Sequence, residues 1–311
     1  MSRVVVLKDV APRLALQAHQ VDTAVKVELI DRLTAAGMPA IEVSSFVRPD
    51  LVPGLADAEE VFAKIDRSRG PTLHCCVGNE TGLRRAIDAG ADAAWFLLSA
   101  DDEFSRNNTG SSTDEAIDRL ARLASLADGS DTALGTYVIF AWGGPSGRPR
   151  GPEVIDRFAG RLHDIGVRDW LLADSIGYAS PRQMREMIEA ALTVTSPEHL
   201  SVQVHDSRGM GLANIVEMVG LGIDHIDVSL GGSGGHPAVP GVPAGGVCSE
   251  DAVQLLDRMG IETGVDLELL VETAVWFAEE AGVPGPGFVR RVGAVPVEET
   301  RGGGPRFSWS S

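Results

Sequence analysis

The sequence predicts a single (β/α)8 barrel. Apolar, strand-like runs alternate with stretches of helical periodicity along most of the chain. Those runs number eight, and the polar residues capable of chemistry gather where the runs end, which is where this fold carries its sites.

The eight runs are 4–10, 40–44, 72–77, 93–99, 134–142, 170–174, 200–205 and 226–230. Helical periodicity covers 24–36, 114–126, 153–165, 181–191 and 212–221, and Gly37, Gly90, Gly166 and Gly222 stand just after helices as stops. Strand–helix alternation reads as parallel βαβ units, and a count of eight favours a closed ring over an open sheet. A helix at 251–258 follows the eighth strand, and another at 266–281 falls outside the barrel count, packing on it as a cap. Residues 1–299 are therefore expected to form one barrel with a C-terminal helical cap. Residues 300–311 are expected to form a poorly ordered polar tail. The loop 231–246, GGSGGHPAVPGVPAGG, is unlike the rest in its glycine and proline content.

Composition narrows the function. A chain of 311 residues suits one large barrel, and 44% apolar residues supply its core. A formal charge of −17 argues against nucleic acid and anionic membrane as partners. No apolar run approaches the roughly 20 residues of a membrane helix, and the first strand meets a charge pair at once, unlike a signal peptide. Three cysteines, Cys75, Cys76 and Cys248, make neither a disulfide framework nor a familiar zinc spacing, so a reduced, cytoplasmic setting is expected. The adjacent pair ends the third strand and reads as buried thiol.

The strand-end residues are Asp9 with Arg13, Glu42 with Ser44, Asp174, and Gln203 with His205 and Asp206; His236 lies on the Gly-rich loop. Any one of them alone reads as a solvated loop residue, but five strands ending this way make a site. Period-two alternation places Gln203 and His205 on one face of their strand. The chain has three lysines against 24 arginines. If Asp9 faces inward, Lys8 points outward, and Lys26 and Lys64 lie on helices, so Schiff-base chemistry is not expected.

Several segments together resemble 3-hydroxy-3-methylglutaryl-CoA lyase, within the DRE-TIM metallolyase group: VAPRLALQ, AAGMPAIEVSSFVRPDLVP, LADSIG, VQVHDSRGMGLAN and GGSGGHP. They occur in order and at matching spacing from about residue 4 to 282. The resemblance carries Arg13 over as the group that steadies the enolate oxygen, and retains Gln17, Glu42 and Asp174. It also shows departures. Leu14 stands where the family binds its metal with aspartate, Gln203 where it uses the first histidine of HxH, and Gly245 or Gly246 where it uses asparagine. His236 replaces a catalytic cysteine.

One imidazole and one amide do not satisfy a hard divalent cation, so no metal and no other cofactor is expected. The expected reaction is retro-aldol or Claisen-type cleavage or formation of a carbon–carbon bond through an enolate, on a coenzyme A thioester or a keto acid. Asp174 is the expected base, Arg13 the electron sink, Glu42 a second catalytic carboxylate paired with Asp174 at the barrel mouth, and His205 and His236 the proton carriers. Gln17, Ser44 and Gln203 are expected to touch substrate. Two other readings stay open: a different elimination or hydration on a carboxylate, and a barrel that has lost its activity. The resemblance further implies a homodimer.

Overall fold

A computed structural model describes residues 3–68, 70–235, 245–283 and 285–295. All eight expected runs are strands: β1 (Val6–Asp9), β2 (Ala40–Phe46), β3 (Thr72–Val77), β4 (Ala93–Ser99), β5 (Ala133–Ile139), β6 (Trp170–Asp174), β7 (Leu200–Val204) and β8 (His225–Val228). They pair in parallel and in sequence order, and β8 returns to β1, closing the ring. β5 stops earlier than expected because Phe140 takes a left-handed φ of 59°, which turns the chain out of the sheet.

The helices between them are α1 (Ala11–Leu14), α2 (Thr23–Ala35), α3 (Ala58–Lys64), α4 (Glu80–Asp88), α5 (Asp102–Thr109), α6 (Thr113–Ala127), α7 (Glu153–Asp164), α8 (Pro181–Ala191), α9 (Gly211–Gly220), α10 (Ser249–Arg258), α11 (Leu267–Glu280) and α12 (Val289–Val292). Their starts are chemically marked. Ser112 with Glu115 and Ser180 with Gln183 form reciprocal capping boxes, and Pro181 occupies the first turn of α8, where no amide partner is needed. The expected extra helix is α11. It lies on α2, joined by the Asp266 amide donating to the Ala36 carbonyl at 2.8 Å and by the Arg32 guanidinium 4.6 Å from the Trp276 ring.

Alternation along the strands sorts the interior into two regions. Leu7, Ile41, Leu73, Ala94, Val138, Leu172, Val202 and Ile226 face the helices and share one large apolar layer. Their neighbours Cys76, Trp95, Tyr137, Leu171 and Ala173 form a separate cluster, the lumen of the barrel. Burial of the outer layer at roughly 25 cal/mol per Å² drives the ring shut, while the lumen is free to hold polar groups if they find partners. Among the described residues, no helix is long and apolar enough to cross a membrane, and the three cysteines are free and buried. The expected tail, 300–311, lies outside the described residues.

Ser180 starts the helix that follows β6, so its cap anchors the turn beside Asp174. Ser180→Ala should lower unfolding free energy by about 1 kcal/mol in urea titration, the usual worth of such a cap.

Candidate functional site

Arg13 is carried by α1, a single turn started by Pro12 directly after β1. This turn swings the guanidinium back over the ring, where Nε pairs with Oε1 of Glu42 on β2. Both residues are buried. The other oxygen of Glu42 accepts from the Tyr137 hydroxyl at 2.6 Å, and that hydroxyl also lies 2.8 Å from Oδ2 of Asp227. Lys8 Nζ donates to Tyr137 Oη and to Asp227 Oδ1, both at 3.2 Å, and Gln203 Nε2 approaches Asp227 at 3.4 Å. Lys8, Glu42, Tyr137, Gln203 and Asp227 sit on β1, β2, β5, β7 and β8 and meet in the lumen.

Lys8 therefore corrects the expected orientation: it points into the barrel, and Asp9 points away. The Asp9 carboxylate accepts from Ser249 Oγ at 2.6 Å and from the Ala11 amide at 2.9 Å, tying α10 and the start of α1 to the end of β1. A Schiff base needs a free amine at an open site. Lys8 is buried and committed as donor to two partners, so its inward position does not revive that route.

Burial works against Glu42 as an anion, but the charges of Arg13 and Lys8 and the Tyr137 hydrogen bond hold its carboxyl below the ordinary glutamate value. Asp227 has the opposite balance: burial raises it to about 6 even though Lys8 opposes the shift. Burial also raises Asp9 to about 7 and Asp174 to about 6.

Asp174 ends β6 with the same alternation as Leu172, on the side facing the helices. Its two oxygens accept from the amides of Tyr178 at 2.7 Å and Ala179 at 3.0 Å, so the carboxylate holds its own turn. The backbone carbonyl of Asp174 accepts from Nδ1 of His205 at 3.0 Å. A carbonyl can only accept, so Nδ1 carries the proton and Nε2 presents a lone pair. Gln17 donates to the Leu14 carbonyl at 3.0 Å and to the Gly235 carbonyl at 3.3 Å, fastening the Gly-rich loop to α1. Ser44 is buried in β2 just past a register shift between Glu42 and Ser44. His236 lies outside the described residues. Tyr137, Asp227 and the role of Lys8 escaped the sequence reading. Their signal was a polar residue inside an apolar strand run, at the alternation shared with the lumen.

A family model described as HMGL-like matches residues 5–276. The chain is 35% identical over 284 residues to the hydroxymethylglutaryl-CoA lyase of Bacillus subtilis (strain 168), covering 91% of this chain and 95% of that one. It is 34% identical over 266 residues to the cytoplasmic 3-hydroxy-3-methylglutaryl-CoA lyase of Rattus norvegicus, covering 85% and 77%. The crystal structure of the Bacillus subtilis HMG-CoA lyase superposes with a TM-score of 0.89 at 34% identity, over 93% of this chain and 98% of that one. An HMG-CoA lyase from Acinetobacter baumannii, in complex with coenzyme A and 3-methylmalate, superposes with a TM-score of 0.89 at 29% identity, over 94% and 95%.

This kinship corrects the expectation of no metal, because HMG-CoA lyases and the HMGL-like family are divalent-metal dependent. The donors that this chain presents do not match that requirement. His205 offers an imidazole and Gln203 an amide, but Leu14 is apolar, and a side chain at Gly234 would meet its Cγ at 2.8 Å, so Leu14 serves as packing for the loop. A Cβ on Gly245 would lie 1.7 Å from the Gly232 carbonyl oxygen, which leaves no room there for an asparagine. Among the described residues, no three His, Cys, Asp or Glu side chains cluster as a metal site.

Two outcomes follow from this geometry. Asp9, Asp174 and Asp227 keep their protons in the folded state well above the ordinary 3.8, so the native state binds more protons than the unfolded chain between about pH 4 and about pH 7. Stability contributed by these groups is present below that window and falls as pH rises through it. Asp9→Asn, which cannot ionise, should flatten that fall, as read from denaturant midpoints across the window. Leu14→Asp with Gln203→His should raise bound divalent metal per chain, measured by elemental analysis after dialysis against a metal buffer.

Proposed function

The chain belongs to the HMGL-like family and is a carbon–carbon lyase, and we propose that it cleaves a 3-hydroxyacyl thioester of coenzyme A by a retro-aldol step. The supporting observation is the Arg13–Glu42 pair, a guanidinium just beyond the C-terminal end of β1 braced by a buried carboxylate of β2. A braced fork of donors needs no reorganisation when negative charge develops in front of it.

In this reading the substrate's 3-hydroxyl gives its proton to His205 Nε2, the lone pair set by the Asp174 carbonyl. The O–H pair becomes the new carbonyl, the bond between C2 and C3 breaks, and its electrons pass to the thioester as an enolate. Arg13 takes the enolate oxygen. Protonation at C2 then releases an acyl-CoA and a ketone or keto acid. His236, expected to lie on the Gly-rich loop, is the proposed donor for that last proton. Asp174, the expected base, acts instead as a positioning residue, since both its oxygens are engaged by its own turn.

A cleft of about 280 Å³ opens between the loops after β4 and β5, lined by Phe104, Asn107, Asn108, Pro145 and Ser146 with the acids Asp101 and Glu103. It lies on the strand-end face and suits the long, polar thioester arm. Arg13, Glu42 and His205 do not line it and stay buried, which protects the enolate from water. The homodimer implied by the resemblance belongs to this same proposal.

The test is turnover of 3-hydroxy-3-methylglutaryl-CoA with divalent metal supplied, following the thioester and keto-acid products. Arg13→Lys should lower kcat about 10²–10³-fold, as loss of one preorganised donor does. Asp174→Asn should lower kcat through misplacement of His205, and His236→Ala should lower kcat more than it raises KM. Folded Arg13→Lys and His205→Ala proteins with near-normal rates would reject the enolate mechanism.

A further inference from the structure

We propose that Lys8 is a positioning residue for the reaction, acting on Arg13 through Asp227, Tyr137 and Glu42. The argument turns on one proton. The Tyr137 hydroxyl lies within hydrogen-bond distance of two carboxylates, Glu42 at 2.6 Å and Asp227 at 2.8 Å, and has a single hydrogen to give. Which carboxylate receives it decides how Glu42 is held, and Glu42 in turn holds Arg13.

Lys8 settles that choice. Its ammonium donates to Asp227 Oδ1 and to the Tyr137 oxygen, while Gln203 approaches the other oxygen of Asp227. Asp227 is thereby supplied with donors from β1 and β7, and the Tyr137 oxygen has accepted one. The phenol's own hydrogen is left to Glu42 Oε2, which turns Oε1 towards the Arg13 guanidinium. The ammonium is itself held in place, 4.4 Å from the centre of the Trp95 ring and 5.2 Å from that of Tyr137. His74 and Cys76 on β3 and His225 on β8 complete the titratable groups that feel its charge; burial holds both histidines below the usual histidine value and pushes the thiol up, which favours the neutral form of each.

Without the ammonium, Asp227 is a buried carboxylate lacking its counter-charge, and it draws the phenol hydrogen to itself. Glu42 then loses a donor, and Arg13 loses the brace that aims it. Asp227 is also uncompensated only while it remains a carboxylate, so replacing it with an amide should relieve the defect. The inference rests on Arg13 carrying the enolate.

The experiment measures kcat, KM and the exchange rate of the Arg13 Nε–H, observed by 15N NMR in the free enzyme, for Lys8→Met and for Lys8→Met with Asp227→Asn. Lys8→Met should lower kcat about tenfold to a hundredfold with little change in KM, the scale of a misplaced catalytic group. It should also speed Nε–H exchange, and the double variant should recover most of both. A folded Lys8→Met with wild-type kcat and exchange overturns the proposal, as does a double variant no better than the single. If the wild type turns over no thioester, the enolate reading fails, while the exchange rates still decide whether Lys8 braces Arg13. Should Lys8→Met not fold, Tyr137→Phe breaks the same chain while keeping the ring and both charge pairs. Loss of kcat with faster exchange is then expected, and wild-type values overturn the proposal.

Discussion

A parallel ring of eight strands sends every second side chain into its lumen, and here the lumen encloses two cations and two carboxylates around one phenol. Removing such charges from water costs several kcal/mol per ion unless each is paired and hydrogen-bonded. Lys8 with Asp227, and Arg13 with Glu42, meet that condition, and Tyr137 joins the two pairs. Much of the site follows from this arrangement. Glu42 cannot reorient without stranding a buried charge, so Arg13 is presented in one direction. The rigidity of Arg13 comes from the electrostatics of the lumen, since α1 is only a single turn long.

The carboxylates at the strand ends do a different job. Asp9 and Asp174 face the helices and bind amides and a hydroxyl of the turns beyond them. Burial raises their pKa values, whereas Glu42, next to two cations, is lowered. These acids of β1, β6 and β2 thus divide into turn-holders and a charge partner, according to which side of the sheet each one faces. The Gly-rich loop belongs to the same construction: Gln17 fastens it at Gly235, and Leu14 packs beneath Gly234.

Much of the fold was legible in the sequence because strand and helix periodicity are local properties. Runs such as 72–77, 93–99 and 170–174 contain their own alternation, and Ser180 with Gln183 writes the start of a helix in four residues. Where the reading missed, residue type along the run did not carry the cause. β5 ends early because Phe140 adopts a left-handed backbone that apolar composition does not announce.

By itself the sequence determined the eight-stranded barrel and the family, since both rest on residue type and spacing along the chain. The direction in which each side chain points was decided only by closure of the ring. Alternation links Lys8 to Asp9 and Leu172 to Asp174 but leaves the sign open, inward or outward. That sign is set by which partners wait on each side: Asp227 and Tyr137 across the lumen for Lys8, Ser249 among the helices for Asp9. Those partners lie more than a hundred residues away, and a charge is buried on the side where a distant counter-charge or donor meets it.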